Sequence, residues 1–503
     1  MVRVVLFILL THATATQAFA QLADSVNFSS SFTGAASSSD YQPLWLVSNR
    51  WGQLEDESSS AFLRNDLFLP YNNNTNFSLS ARLTANVNLP ANDKNTLSLQ
   101  QGYVGVRWKL IELWGGVKEY TRGSIDDELS PGSFIISPNA RPVPKVEIQL
   151  TDYWSVPFTA NWLAIKGYFT HGWLEKDRAI NNPILHEKGA YIRIGPGKIN
   201  FEGGLNHVVQ WGGTRNGTPI STTWADYWRV ITAQQGREGA PGGDIINVLG
   251  SQLGNIDARI NFPVAGVKVT LYSQQFYEDR NSVRQLPFSQ DQQAGFKLVF
   301  HEAQKPILGK MVLEYMNTVD QSGPGLPDNI GTNNFGFEYG GRDDYYNNYA
   351  YQSGYTHRGR VVGNPLLGTE TRMKAVLGED AAFNNSDQSF ILNNRIRSWH
   401  LGASGWLHSK VSYRGLVTTT INKGSYAGAN NGRYNWESRT NPDLEYAFDP
   451  ARRGWNVLFE VTGQGVFLPH LNTKAALAAD FGQLGRAVGF LLALEWNGAF
   501  SLK

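Results

Sequence analysis

From Phe77 to Leu89 the chain alternates without a fault. Phe77, Leu79, Ala81, Leu83, Ala85, Val87 and Leu89 point one way, and Ser78, Ser80, Arg82, Thr84, Asn86 and Asn88 the other. Successive side chains of a strand take opposite faces, so this segment reads as a strand with one wholly apolar and one wholly polar face. Thirteen residues at about 3.4 Å each reach roughly 44 Å, and a tilt of about 45° reduces this to about 31 Å, the thickness of a bilayer's hydrocarbon core. Strands of soluble sandwiches usually run about 5–6 residues. The pattern recurs in pairs. Ile256–Phe262 breaks at Pro263-Val264-Ala265-Gly266 and resumes at Val267, Val269 and Leu271. Ala294–Phe300 and Met311–Met316 flank Lys305-Pro306, and Trp399–Leu407 meets Val411–Val417 across His408-Ser409-Lys410. The last strands read Val457–Val461, Ala475–Phe481 and Val488–Trp496.

Between the pairs lie long stretches rich in Gly, Asn, Asp and Tyr, such as Asp320–Thr332, Gly340–Tyr355 and Gly424–Asp443. Short turns at one end and long loops at the other are the asymmetry of outer-membrane barrels, with the turns in the periplasm. The pattern therefore predicts an all-β chain forming a closed antiparallel transmembrane β-barrel. One helix is expected, with Thr223 as N-cap, Trp224, Tyr227, Trp228 and Ile231 at i, i+3, i+4 and i+7, and a stop at Gly236. Its aromatic stripe is expected to pack on the barrel wall or in the lumen.

Composition narrows the classes. The 503 residues contain no cysteine and 44 Lys+Arg against 43 Asp+Glu. A disulfide framework and a thiolate zinc site are therefore excluded, and no broad basic footprint serves nucleic acid. Aromatics at 12% argue against disorder. The mean hydropathy of −0.32 looks soluble, but a barrel with a polar lumen need not look greasy on average. Residues 1–20 begin with Arg3, continue through the apolar run Val4–Leu10 and end Ala18-Phe19-Ala20 before Gln21. That is the pattern of a cleaved secretory signal peptide, leaving residues 21–503 as a single barrel domain with an N-terminal periplasmic segment. No later segment approaches 18 consecutive apolar residues.

Catalytic chemistry finds little support. The histidines lack the i, i+4 spacing of a zinc protease, Gly402-Ala403-Ser404-Gly405 lacks the spacing of a nucleophile elbow, and acidic clusters such as Asp126-Asp127-Glu128 lack calcium-loop spacing. No catalytic residue, metal ligand or cofactor is expected. The loops instead combine aromatic, amide and charged residues, with Arg342, Asp343, Asp344, Tyr345, Tyr346, Asn347, Asn348 and Tyr349 in one stretch and His207, Gln210, Trp211 and Arg215 in another. Sugars present apolar C–H faces and many hydroxyls, so their sites pair flat aromatic platforms with planar hydrogen-bonding groups. The competing reading is the interfacial girdle, where Tyr and Trp gather whatever the function. The candidate polysaccharide contacts are Trp211, Arg342, Tyr345 and Tyr346, with Arg342 suited to uronate carboxylates.

The order of segments resembles the Wzi-like capsule assembly family of outer-membrane proteins. The residues that carry the resemblance are Leu44-Trp45-Leu46 to Gly52, Gly167–Trp173, Leu185-His186-Glu187-Lys188 into Tyr191-Ile192-Arg193, and Gly204-Leu205-Asn206-His207 with Trp211-Gly212-Gly213. They continue through Asn247–Gly254, Glu278-Asp279, Glu314-Tyr315 to Gly323, Asp344–Asn348 with Tyr355, Gly359–Pro365 and Asn393-Asn394-Arg395. The resemblance implies a barrel of about 18 strands with an occluded pore. It also implies a monomeric, non-enzymatic surface lectin of the Gram-negative outer membrane, contacting its lipid and anchoring capsular or related surface polysaccharide. A diffusion channel for oligosaccharides or other solutes is the alternative, and an envelope glycan or lipid hydrolase a third. Two features depart from the family pattern. No periplasmic helical bundle is recognisable between Gln21 and Leu44, and the aromatic expected at a barrel's C-terminus, Phe500, stands three residues before the end.

Overall fold

The computed structural model describes residues 25–501 except 91–94, 247, 279–281, 283–288, 301–304, 322–342, 385–389 and 430–444. The signal-peptide segment 1–20 and the candidate contact Arg342 lie outside the described residues. In chain order the wall strands are β1 (Ser25–Ser37), β2 (Ser59–Leu69), β3 (Phe77–Pro90), β4 (Thr96–Trp108), β5 (Ile111–Val117), β6 (Lys145–Leu150), β7 (Leu163–Trp173), β8 (Ile184–Ile194) and β9 (Asn200–Trp211). The second half comprises β10 (Ser251–Val264), β11 (Val267–Tyr277), β12 (Gln292–Val299), β13 (Lys310–Asn317), β14 (Ile396–His408), β15 (Val411–Asn422), β16 (Arg452–Gln464), β17 (Leu471–Gly482) and β18 (Ala487–Ser501). Each pairs antiparallel with its neighbour in sequence, and β18 returns to β1, Ser25 facing Ser501 and Ser37 facing Gly489. Of the 19 strands in this sheet, the two-residue Trp154–Ser155 continues β6 along β7. The wall therefore has eighteen staves and no free edge.

Closure follows from the strand faces. On β3 the apolar set is turned outward and the polar set inward, with Leu83 54% exposed and its neighbour Thr84 fully buried. A soluble sandwich would show the reverse, because its apolar face is the one removed from solvent. Here the outside is apolar and the inside is packed with serine, threonine and amide side chains, so the surrounding medium is lipid. In lipid an unpaired strand edge leaves backbone N–H and C=O groups without partners at several kcal/mol each, and only a closed ring avoids this.

The two rims differ. At one end, strands join through tight turns such as Lys109-Leu110, Ala265-Gly266 and Ser409-Lys410. Ala265 and Gly266 take φ +48° and +85°, the left-handed pair that a two-residue hairpin requires. At the other end lie the connections 38–58, 118–144, 212–250, 318–395 and 423–451. Exposed aromatics ring both ends. Trp399, Trp455 and Phe481 lie toward the long-loop rim, the last two stacked at 6.0 Å. Trp108, Trp496 and Phe500 lie toward the turn rim, Phe500 stacked on Phe28 at 5.0 Å across the seam.

Ser25–Ser37, within the region where no helical bundle is recognisable, is a wall strand, which its run of serines hides from a hydrophobicity pattern. Helix α1 (Trp224–Ile231) starts at Thr223 as expected, in a full capping box with Asp226. It ends at Ile231 rather than at Gly236, because Ala233 already adopts φ +50°. A second helix of the long loops, α2 (Glu370–Leu377), is N-capped by Thr369.

Candidate functional site

Three of the long loops turn inward instead of outward. Segments 38–58, 118–144 and 343–369 bury their apolar side chains against one another inside the ring, forming a core that includes Trp45, Leu46, Leu129, Phe134, Tyr346 and Leu367. These residues have no lipid to face, so mutual packing is the only way to remove them from water. The polar wall meets this plug through hydrogen bonds and ion pairs. Trp45 Nε1 donates to Thr418 Oγ1 at 3.1 Å, Arg50 pairs with Glu460 at 2.9 Å, and Leu129 O lies 2.6 Å from His400 Nε2. The plug spans the barrel's depth. Glu128, at the tip of segment 118–144, meets Lys310 at the turn-rim end of β13 at 2.7 Å.

The wall carries its own ion pairs. Lys145 Nζ lies 2.8 and 2.9 Å from the two carboxylate oxygens of Glu187, with both side chains buried, and Tyr120 adds a hydroxyl to Glu187 at 2.9 Å. Such a pair is tolerable in a dry interior only because each oxygen is hydrogen-bonded.

The aromatic stretch expected to stack on sugar is part of the plug. Tyr345 is 1% and Tyr346 2% exposed. Their rings pack on Phe134 at centroid distances of 5.1 and 5.2 Å, and Phe134 stacks on Phe276 of the wall at 4.0 Å. The Tyr345 hydroxyl donates to Asp291 at 3.0 Å. The Tyr346 hydroxyl donates to Phe134 O at 2.5 Å and accepts the Asn364 N–H at 3.0 Å. Trp211 is also buried, but on the other side of the wall, stacked on Tyr227 of α1 at 5.7 Å. In this conformation none of the three offers a free ring face to a polymer, because a ring so thoroughly covered has both faces in protein contact. The structure therefore brings Tyr345 and Tyr346 together and leaves Trp211 apart. The expected aromatic stripe of α1 also divides. Tyr227 faces the wall together with Val230, whereas Trp224 and Trp228 remain exposed.

At the long-loop rim a buried guanidinium ties two loops to the wall. Arg178 donates to Glu175 (3.0 Å), to the carbonyls of Thr356 (2.7 Å) and Gly354 (2.9 Å), and to Gln210 of β9 (3.0 Å). Glu175 also accepts the Arg358 N–H at 3.1 Å and lies 2.5 Å from His357 Nδ1. Burial alone would raise the Glu175 carboxyl, but the hydrogen bond and charge of His357, with the charge of Arg178, bring it down to about 2. The His357 imidazole is itself held below its ordinary value by burial, against the pull of Glu175.

Beside this tie lies a cationic cluster that no motif announced. Arg141 lies within the field of both Arg358 and Arg360. Arg141 and Arg360 flank Gly52, and Glu55 is the carboxylate nearest to Arg141, at 3.7 Å. Glu55 accepts from Asn88 at the long-loop end of β3, which places the cluster at that rim. Arg360 is held by the carbonyls of Val47 (2.9 Å) and Leu54, and Arg141 Nε donates to Gly52 O at 3.3 Å. Arg358 is exposed on the turn between the paired residues His357 and Arg360, with φ +50°. Burial, then the charges of Arg358 and Arg360, hold the Arg141 guanidinium below its ordinary value despite Glu55. It stays charged all the same. Arg141 and Arg360 are faced by Glu55 and Asp56, whereas the exposed Arg358 is the cation of the group that an anionic ligand can reach. The sequence signal was Arg358-Gly359-Arg360, where the paired arginines flank a turn glycine.

Comparison with known proteins gives a consistent picture. The family model described as capsule assembly protein Wzi matches residues 69–388, more than half of the chain. No curated protein matches the sequence. Among solved structures, the chain is similar to Wzi of Escherichia coli, an outer membrane protein involved in group 1 capsule assembly and described as a carbohydrate-binding β-barrel. The TM-score is 0.55 at 16% identity, over 96% of this chain and 86% of that one. OprD of Pseudomonas aeruginosa gives a TM-score of 0.47 at 10% identity over 95% of both chains, and OccK5 of the same organism gives 0.45 at 8%, over 95% and 98%. At 16% identity the likeness to Wzi is one of fold.

Proposed function

The chain belongs to the family of the capsule assembly protein Wzi, and from that premise we propose that it is an outer-membrane lectin that holds capsular or related surface polysaccharide at the cell exterior. The observation that carries this reading is the plug. Three loops that could have lined a pore are packed together inside it, one of them reaching the turn rim, which leaves the long-loop rim as the working surface and weighs against a diffusion channel. Residues 21–503 act as one monomeric barrel after loss of residues 1–20, binding rather than cutting glycan.

The ligand on this reading is acidic. Arg358, backed by Arg141 and Arg360, grips carboxylate or phosphate groups along the polymer in bidentate fashion. Arg342, in the same connection between β13 and β14 as Arg358, remains a proposed contact of the same kind. Trp211, Tyr345 and Tyr346 serve by fixing the loops that carry such contacts. Arg358→Ala is expected to weaken binding of an acidic capsular oligosaccharide by about tenfold or more, the effect of losing a charge-assisted hydrogen bond, as measured by calorimetry on the purified barrel. Unchanged affinity removes the cluster from the proposal. Deleting the gene should release capsule into the medium, and capsule staying wholly cell-attached would overturn the anchoring role.

A further inference from the structure

The outer face of β7, β8 and β9 changes character toward the long-loop rim. Lower on these strands the outward positions are Phe169, Ile192, Ile194, Phe201 and Leu205, all exposed to lipid. Nearer the rim they include His171 on β7, His186 and Lys188 on β8 and His207 on β9, interspersed with Trp173, Ile184, Val209 and Trp211. Their orientation follows from their alternating partners, since Thr170 bonds Glu147, Glu187 bonds Lys145 and Asn206 bonds Tyr168, all within the lumen. His171 faces His186 and Lys188 faces His207 across adjacent strands. Imidazoles and an ammonium are costly against acyl chains, and these are not left bare.

Segment 212–250 covers them from outside the barrel. Gly212 and Gly213, at φ +64° and +88°, turn the chain away at the end of β9. Helix α1 then lies on the outer wall. Its Tyr227 ring stacks on Trp211 at 5.7 Å and meets His171 and His186 edge-on at 5.7 and 5.8 Å. Val230 packs with Val209, Trp211 and Leu249 in a cluster separate from the plug, and Lys188 Nζ donates to the Ile231 carbonyl at the helix end. The flank beside Tyr227 presents Trp224 and Trp228, 79% and 62% exposed and one turn apart, with Trp224 meeting Tyr227 edge-on at 5.9 Å. Elsewhere on the wall Trp399 and Trp455 each stand three residues inside the long-loop end of their strands. Lys188, where α1 ends, stands four residues inside the same end of β8. The helix thus lies at girdle height over the polar positions of these staves, beside Trp173, whose ring meets His171 at 5.0 Å.

We propose that α1 is an interfacial anchor, with Trp224 and Trp228 seated among the lipid headgroups of the leaflet at the long-loop rim and extending the aromatic girdle from Trp173 of β7 across β8 and β9. The occupant is lipid because the exposed face continues the lipid-facing belt on the outside of the wall. Trp and Tyr belong at that depth, where an amphipathic ring meets both acyl chain and water. The inference stands independently of the glycan reading. The chain has no cysteine, so Trp228→Cys can carry a single environment-sensitive fluorophore in the full barrel reconstituted into vesicles. Acyl chains brominated near the glycerol end are expected to quench it within about twofold of a label at Trp455→Cys, while aqueous iodide quenches it weakly. A label at Thr218→Cys, on an exposed turn of the same loop, should show the opposite. A Trp228 label that behaves like the Thr218 label overturns the proposal, as does one that responds to soluble polysaccharide and not to brominated lipid. If Trp228→Cys does not insert, Trp224→Cys one turn away carries the same expectation.

Discussion

Leu83 and Thr84 are consecutive, yet one touches lipid and the other the packed lumen. That single-residue alternation governs what each ionisable side chain experiences. Glu175 sits where the wall gives way to loops, and its behaviour in acid follows from its partners. Its folded-state carboxyl titrates at about 2 against an ordinary 4.5. A depressed value contributes stability that is complete above the ordinary value and is lost as pH falls through the folded one. The contacts between loops 174–183 and 343–369 should therefore be at full strength above about pH 4.5 and weaken progressively from there down to about pH 2. Glu175→Gln, which leaves Arg178 short of a charged partner, should cost about 1–3 kcal/mol of local stability at neutral pH. The gap from the parent should narrow steadily below pH 4.5. Hydrogen exchange at the Arg358 amide, corrected for intrinsic rate, reads this directly, and a gap that does not change with pH would refute it.

Among elements, the plug segment 118–144 has the largest consequence. It packs Leu129, Phe134 and Ile135 into the lumen core and reaches the turn rim through Glu128. Replacing residues 121–141 with a short Gly/Ser linker should leave the wall ladder intact and open a water path, seen as discrete conductance steps in planar bilayers where the parent protein gives none. If the shortened protein stays silent, segments 38–58 and 343–369 seal the pore alone. The wall pairs were legible in sequence because strict alternation has one structural meaning once strands exceed the length a soluble sheet uses. Ile256–Leu271 and Trp399–Val417 show this, pairing as expected, with the strands running on through Val264 and His408 so that the turns shorten to Ala265-Gly266 and Ser409-Lys410. The stretch Asp344–Asn348 was not legible in the same way. Tyrosine beside amide suits a sugar platform and a buried hydrogen-bonded plug equally, and only the position of Phe134, more than two hundred residues earlier in the chain, decides between them. The orientation of α1 was hidden for a related reason. Its four apolar positions form one stripe on a helical wheel, but the wall takes Tyr227 with Val230 and leaves both tryptophans out.

For the whole molecule, stability rests on closure. β1 and β18 pair from Ser25–Ser501 to Ser37–Gly489, and removing either strand would leave two long edges in hydrocarbon, each unsatisfied backbone group costing several kcal/mol. Deleting residues 487–501 should abolish the compact, heat-modifiable band of the folded barrel on unheated gels, and a surviving band would mean that the remaining strands can reclose. The sequence alone determined that the chain crosses a membrane as an antiparallel barrel, and its ordered motifs pointed to the Wzi capsule assembly family, because strand periodicity and motif order are local properties of the chain. Tertiary structure decided which loops enter the lumen, which arginines gather at the rim and which face of α1 looks outward. Those outcomes depend on contacts between segments far apart in sequence, and no local pattern records which segments a closed wall will bring together.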